Sequence, residues 1–264
     1  MGVQRDENGT VSIEARGELL LIKIDRPKKL NGFTPKMFEE LGAAYTSLES
    51  RKFRCGVLYA NGDSFTAGLD LPKVSPLMKA GQELVPEKYI DPFGLRSPMR
   101  TTPLVVAVKG YCYTLGIELM LAADIVIAAN DTRFSQLEVK RGVMATGGAT
   151  IRMVERAGWG NAMYVLLTGD EFSAETALRM NFVQEVVETG TELARALEIA
   201  DNIANQAPLA VRETMRSART ALGQNRADAV REFRSVQSLL LNSVDAGEGL
   251  SSFVERRPAK FVGK

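Results

Sequence analysis

Apolar residues fall into two rhythms along this chain. Five short runs, ELLLIKID (18–25), RCGVLYA (54–60), LVVAVKG (104–110), DIVIAAN (124–130) and FVQEVVE (182–188), have the length and β-branched content of buried strands. Between them, TPKMFEELGAAYTSLES, GIELMLAAD, GATIRMVERAG, NAMYVLLTG and SAETALRMN repeat apolar residues three and four apart, the spacing of one helical face. Thr34 followed by Pro35 reads as an N-cap with a first-turn proline. Strands alternating with helices predict an α/β fold.

From Glu192 the strand pattern stops, and the remainder predicts helices interrupted at Pro208 and Gly223. The expected organisation is a core over residues 1–191 followed by a helical region over 192–264. The stripe of Val230, Phe233, Val236, Leu239, Leu240 and Val244 serves either an internal core or a subunit interface. Between Leu71 and Met99, Pro72, Pro76, Pro86, Pro92 and Pro98 predict a mobile loop flanking a site. No internal repeat or low-complexity tract is present.

Charge changes this picture by exclusion. The 264 residues carry 33 Lys plus Arg against 32 Asp plus Glu, so there is no basic footprint for nucleic acid and no polybasic patch for a membrane. No apolar run approaches the length of a membrane span, and the polar start, MGVQRDENGT, lacks the apolar core of a signal peptide. Two cysteines, Cys55 and Cys112, are too few for a disulfide framework and show no CxxC spacing, which fits a reducing cytoplasm and no structural metal. Histidine is absent altogether, which removes Ser-His-Asp and Cys-His machinery and leaves carboxylates and backbone dipoles for acid–base chemistry.

Two carboxylates stand out. Glu118 interrupts an apolar run, IELMLAA, where an unpaired charge is costly and must be paired, protonated or used. Glu138, in RFSQLEVKRGV, follows twenty positions later across an expected strand, a spacing that can bring two carboxylates from adjacent turns to one side of a sheet. Pattern alone leaves open whether Glu138 is functional or simply solvated. Three glycine-rich segments, NGDSFTAGLDL (61–71), KGYCYTLGIEL (109–119) and VMATGGAT (143–150), fall where strands turn into helices and where amide donors can cradle an anion.

The order and spacing of IKIDRPKKLNGFTPKMFEEL, SFTAGLDL, AVKGYCYTLGIELMLAADIVIAA, FSQLEVKRGVMATGGATIRMVERAGWGNAMYVLLTG and EGLSSFVERRPAKF resemble the enoyl-CoA hydratase/isomerase (crotonase) superfamily nearly end to end. The resemblance implies a crotonase-like spiral of ββα turns with a C-terminal helical trimerisation region, assembled as a trimer or a dimer of trimers. It implies an acyl-coenzyme A thioester as substrate, with no metal and no cofactor beyond the coenzyme A that the substrate itself carries. The backbone amides of Leu69 and Leu115 would form the oxyanion hole, and Ala67, Gly68, Asp70 and Gly116 would line the substrate, with Asp70 also stabilising its turn. Glu118 matches the glutamate that activates water and Glu138 the one that exchanges the α-proton.

Retention of both glutamates favours hydration of a trans-2-enoyl-CoA. An enoyl-CoA isomerase or other enolate-forming reaction, and a catalytically weak acyl-CoA-binding paralogue, are the alternatives. This chain departs from the usual consecutive glycines with Thr114, Leu115, Gly116, and it carries Leu69 where a smaller residue is typical. The Leu115 side chain is expected in the acyl pocket. Cys112 is expected to be a small buried hydrophobe and Trp159 a packing residue, while Arg257 and Lys260 either reach coenzyme A phosphates of a neighbouring subunit or face solvent.

Overall fold

The computed structural model describes residues 7–50, 52–223 and 225–264, so most of the polar N-terminal segment lies outside the described residues. Its frame is a six-stranded sheet in the order β1 (Thr10–Arg16), β2 (Leu19–Asp25), β3 (Cys55–Ala60), β4 (Leu104–Val108), β6 (Ile125–Ala129), β9 (Glu185–Val187). Only β1 runs antiparallel to its neighbour. The five apolar runs of the sequence are its five parallel strands.

Those runs are continuous because both faces of the sheet are covered. Leu20, Ile22, Leu58, Val106 and Val126 join the main core, where Phe38, Leu41 and Tyr45 of α1 (Pro35–Leu48) pack. Thr34 caps α1 as expected, its hydroxyl accepting from the Met37 amide at 3.4 Å. The alternate positions Leu19, Leu21, Val57, Val105 and Ile127 point the other way, against Ala196, Ala200 and Ala204 of α7 (Glu192–Ala204). Alanines four apart form a flat stripe that lets α7 lie close to the strands. The first helix beyond position 191 is thus a layer of the sheet. The helices α8 (Pro208–Gly223), α9 (Arg226–Leu241) and α10 (Val244–Glu255) follow it and leave large apolar residues such as Phe233, Leu239 and Phe253 exposed.

Among the described residues, four strands carry no apolar run in the sequence. β1 lies at the edge with mostly exposed side chains, and β5 (Tyr111–Tyr113), β7 (Arg133–Ser135) and β8 (Phe172–Ser173) form a separate small sheet. Phe134 and Phe172 stack across its β7–β8 pair at 5.4 Å between ring centroids. The unit β4–β5–α3 (Leu115–Ala122) is followed by β6–β7 and a single 3₁₀ turn at Glu138–Arg141, then by α4 (Ala149–Ala157). The long strands β4 and β6 are therefore each succeeded by a short strand of the second sheet and then by a helical turn, two turns of the ββα spiral that the family resemblance leads one to expect.

The proline-rich stretch differs from its expectation. It opens with a helix, α2 (Leu71–Lys79), because Pro72 sits in the first turn where its missing N–H needs no partner. The rest is anchored: Val85 and Ile90 are buried in the core, and the Asp91 carboxylate accepts from the Phe93 and Leu95 amides. Trp159, at the start of α5 (Trp159–Thr168), is 72% exposed and is no packing residue within this chain. The helical element α6 (Ala174–Arg179) precedes the last strand.

Candidate active site

Successive turns of the spiral are locked in register, and that register assembles the site. Thr66 bridges Cys112, and Tyr113 pairs with Ser135 in the parallel β5–β7 ladder. The residues just beyond these rungs, 68–70, 114–118 and 136–138, consequently emerge side by side although they are far apart in sequence.

The first turn is pinned on both sides. Phe33 donates to the Gly68 carbonyl and receives the Asp70 amide, each at 2.9 Å, so the intervening Leu69 amide faces away from that ladder. Gly68, at φ +108°, gives its amide to Thr66 Oγ1 at 3.1 Å. Asp70 is ion-paired to the buried Arg26 at 2.8 Å, and Ala67 donates to the Leu30 carbonyl. In the second turn the Thr114 amide donates to the Ser135 carbonyl, and Leu115 begins α3. Among the described residues neither the Leu69 nor the Leu115 amide has a protein acceptor. Two uncommitted donors on adjacent turns, one of them at a helix N-terminus, form a cradle for a negatively charged oxygen.

Gly116 lies behind this cradle, where a Cβ would meet the Thr66 methyl at 2.7 Å and Cys112 Sγ at 3.2 Å. Leu115 is 3% exposed and belongs to the main apolar core. Burial pushes the Cys112 thiol well above its usual range, so it remains a small neutral group.

Glu118, one helical turn beyond Leu115, is only 6% exposed. Its Oε1 accepts from the Gly147 amide at 2.6 Å and the Ala149 amide at 3.4 Å. Burial, and next the charge of Glu138, push its carboxyl up to about 7 against the lowering pull of those two amides. Burial raises the Glu138 carboxyl too. Its Oε1 accepts from Gln136 Nε2 at 3.3 Å, whereas its Oε2 is buried and, among the described residues, without a partner, as is Gln136 Oε1. The charge of Glu138 thus acts on Glu118, and the site offers two carboxyl groups in different environments.

The role of Gly147 and Ala149 lies hidden in the third glycine-rich segment, which the sequence marks as a turn without indicating what it contacts. Arg152, which no sequence signal singles out, ties that turn to the proline-rich stretch by donating to the carbonyls of Gly147 at 3.3 Å and Phe93 at 2.6 Å.

Beside Leu69 opens a cavity of about 430 Å³ lined by Arg26, Lys28, Lys29, Leu30, Ala67 and Asp70. Its two exposed lysines suit an anionic group lying just outside the amide cradle. Arg257 is instead bound to Glu248 at 2.6 Å, and the Lys260 amide donates to the same carboxylate. Among the described residues no cluster of three or more His, Cys, Asp or Glu side chains is placed to hold a metal ion, and no helix is long and apolar enough to cross a membrane.

The model of the family described as enoyl-CoA hydratase/isomerase matches residues 14–264. "Enoyl-CoA hydratase EchA19" of Mycobacterium tuberculosis is 30% identical over 257 residues, covering 96% of this chain and 96% of that protein. "1,2-Epoxyphenylacetyl-CoA isomerase" of Escherichia coli is 29% identical over 255 residues, covering 93% and 95%. Among solved structures, a probable enoyl-CoA hydratase/isomerase from Mycobacterium abscessus superposes with a TM-score of 0.93 at 45% identity, over 96% of this chain and 98% of that one.

Proposed function

This chain belongs to the enoyl-CoA hydratase/isomerase family, and we propose that it adds water to a trans-2-enoyl-CoA to give a 3-hydroxyacyl-CoA. The observation that carries this reading is the two carboxylates: Glu118 is buried and Glu138 half-buried, and the charge of Glu138 raises the proton affinity of Glu118. Hydration needs two proton positions, one to accept from water and one to donate to carbon.

In this reading the thioester oxygen sits between the Leu69 and Leu115 amides, with the coenzyme A anionic groups towards Lys28 and Lys29. Ionised Glu118 takes a proton from water while the hydroxyl bonds to C3. Charge passing through the former double bond accumulates on the thioester oxygen, where the amides stabilise it; one such donor is typically worth about 10²–10³ in rate. Protonated Glu138 then delivers its proton to C2. Glu118 ends protonated and Glu138 ionised, and one proton passed between the two carboxyls restores the start. Ala67, Gly68, Asp70 and Gly116 shape the cradle without exchanging protons. No metal or separate cofactor enters this scheme.

The assembly we propose is a homotrimer or a dimer of trimers, supported by the apolar residues exposed on α9 and α10. The free, buried Cys55 and Cys112 suit the reducing cytoplasm as its location.

The similarity to an epoxyacyl-CoA isomerase supports a second reading, in which one glutamate moves a proton between carbons of a bound acyl-CoA and no water is added. Incubation with crotonyl-CoA separates the two. Hydration predicts loss of the enoyl absorbance and formation of 3-hydroxybutyryl-CoA. Conversion of a 3-enoyl-CoA to its 2-enoyl isomer without hydration would support isomerisation, and binding of acyl-CoA with no turnover would leave only a binding protein.

A further inference from the structure

Thr114 holds a backbone conformation, φ 48° and ψ −114°, that a β-branched residue rarely adopts. Glycine would adopt it without penalty, and strain of this kind persists where the surroundings over-determine it. Here they do: the Thr114 amide donates to the Ser135 carbonyl at 2.9 Å, and its own carbonyl receives the Glu118 amide at 3.2 Å. The consequence is a fixed position for the side chain. A Cβ built on Gly68 would lie 2.3 Å from Thr114 Oγ1, so the hydroxyl is seated directly over the neighbouring turn.

Gly68 immediately precedes Leu69, and Thr114 immediately precedes Leu115. The hydroxyl therefore stands where the two turns that carry the uncommitted amides meet, and among the described residues it has no hydrogen-bond partner of its own. It is only half-buried, so an incoming group can reach it.

We propose that Thr114 Oγ1–H is a third hydrogen-bond donor to the thioester carbonyl oxygen, converting a two-amide cradle into a three-point one. This rests on the acyl-CoA reading above. An oxygen gaining negative charge can accept from three directions, and a hydroxyl rotates to follow it. Thr114 makes and breaks no covalent bond and keeps its proton throughout.

The test uses the full chain and three variants: Thr114→Val, which keeps the shape without the donor; Thr114→Ser, which keeps the donor; and Thr114→Gly, which removes both donor and strain. Crotonyl-CoA hydration gives kcat and KM, and the absorption maximum of bound 2,4-hexadienoyl-CoA reports how strongly the carbonyl is polarised. Thr114→Val is expected to lose about a hundredfold in kcat with little change in KM, and to show a smaller red shift. Thr114→Ser should retain both signals. Thr114→Gly should lose kcat like the valine variant yet melt no lower than the wild type. A valine variant with unchanged kcat and red shift, or a serine variant as impaired as valine, overturns the third donor while leaving the acyl-CoA reading intact. A wild type that neither hydrates crotonyl-CoA nor shifts the dienoyl spectrum overturns both.

Discussion

Across 29 positions of sequence, the Gly147 amide donates to Glu118 Oε1 at 2.6 Å, and nothing larger than glycine fits there: a Cβ on Gly147 would lie 2.5 Å from Glu118 Oε2 and 2.9 Å from Phe93. The contact that supports the carboxylate is also the one that restricts its place. Gly147→Ala should push Glu118 out of position, and a displacement near 1 Å can cost about a hundredfold in rate. The expected result is that loss in kcat for crotonyl-CoA with a melting temperature near that of the wild type, measured by steady-state kinetics and thermal unfolding.

Glu118→Gln and Glu138→Gln should each lower hydration by at least about a hundredfold, since a general acid or base is typically worth 10²–10⁴. Acyl-CoA affinity, measured by calorimetry with a saturated acyl-CoA, should change little because the amide cradle remains. Near-normal turnover by either variant would eliminate the two-carboxylate mechanism.

The pH dependence follows from the raised proton affinity of Glu118, which moves from 4.5 to about 7 through burial first and the Glu138 charge second. The folded chain holds this proton more tightly than the unfolded one, so the stabilisation is complete below about pH 4.5 and lost as pH rises through about 7. Glu118→Gln, permanently neutral, should be more stable than the wild type at about pH 8.5, by roughly 3 kcal/mol at most, and equal to it near pH 4. Denaturant melts at the two pH values measure this.

Leu115 is 3% exposed, so Leu115→Ala should leave a cavity and lower stability by about 2–5 kcal/mol. The backbone donor survives the change. If the new space connects with the acyl pocket, kcat/KM for longer acyl chains should rise relative to crotonyl-CoA; an equal loss on every chain length would place the side chain wholly in the structural core.

Phe253, 82% exposed on α10, and its exposed neighbour Val254 should contribute to subunit contacts. Replacing both with Glu, or ending the chain near Gln206, should shift the sedimenting species from trimer-based assemblies to smaller ones. A native chain that sediments as a monomer would contradict the proposed assembly.

The sequence by itself determined the elements whose burial is two-sided or amphipathic. The four strands β2, β3, β4 and β6, covered by core on one face and by α7 on the other, must be apolar at nearly every position, and helices such as α1 must repeat every three or four residues, so both are written locally. Glu118 was legible for the converse reason, as a charge at a position whose neighbours are all apolar. Strands β5, β7 and β8, two or three residues each, are too short to carry a period, and edge strand β1 buries too little to need one. Helix α2 was masked by Pro72, which its first turn tolerates, and by Pro76 inside it. What the tertiary structure alone decided is which groups meet: the Gly147 amide on Glu118, Arg152 on the Phe93 carbonyl, the Thr114 hydroxyl over Gly68. Each is a contact between segments distant in sequence, and no local pattern encodes how such segments are brought together.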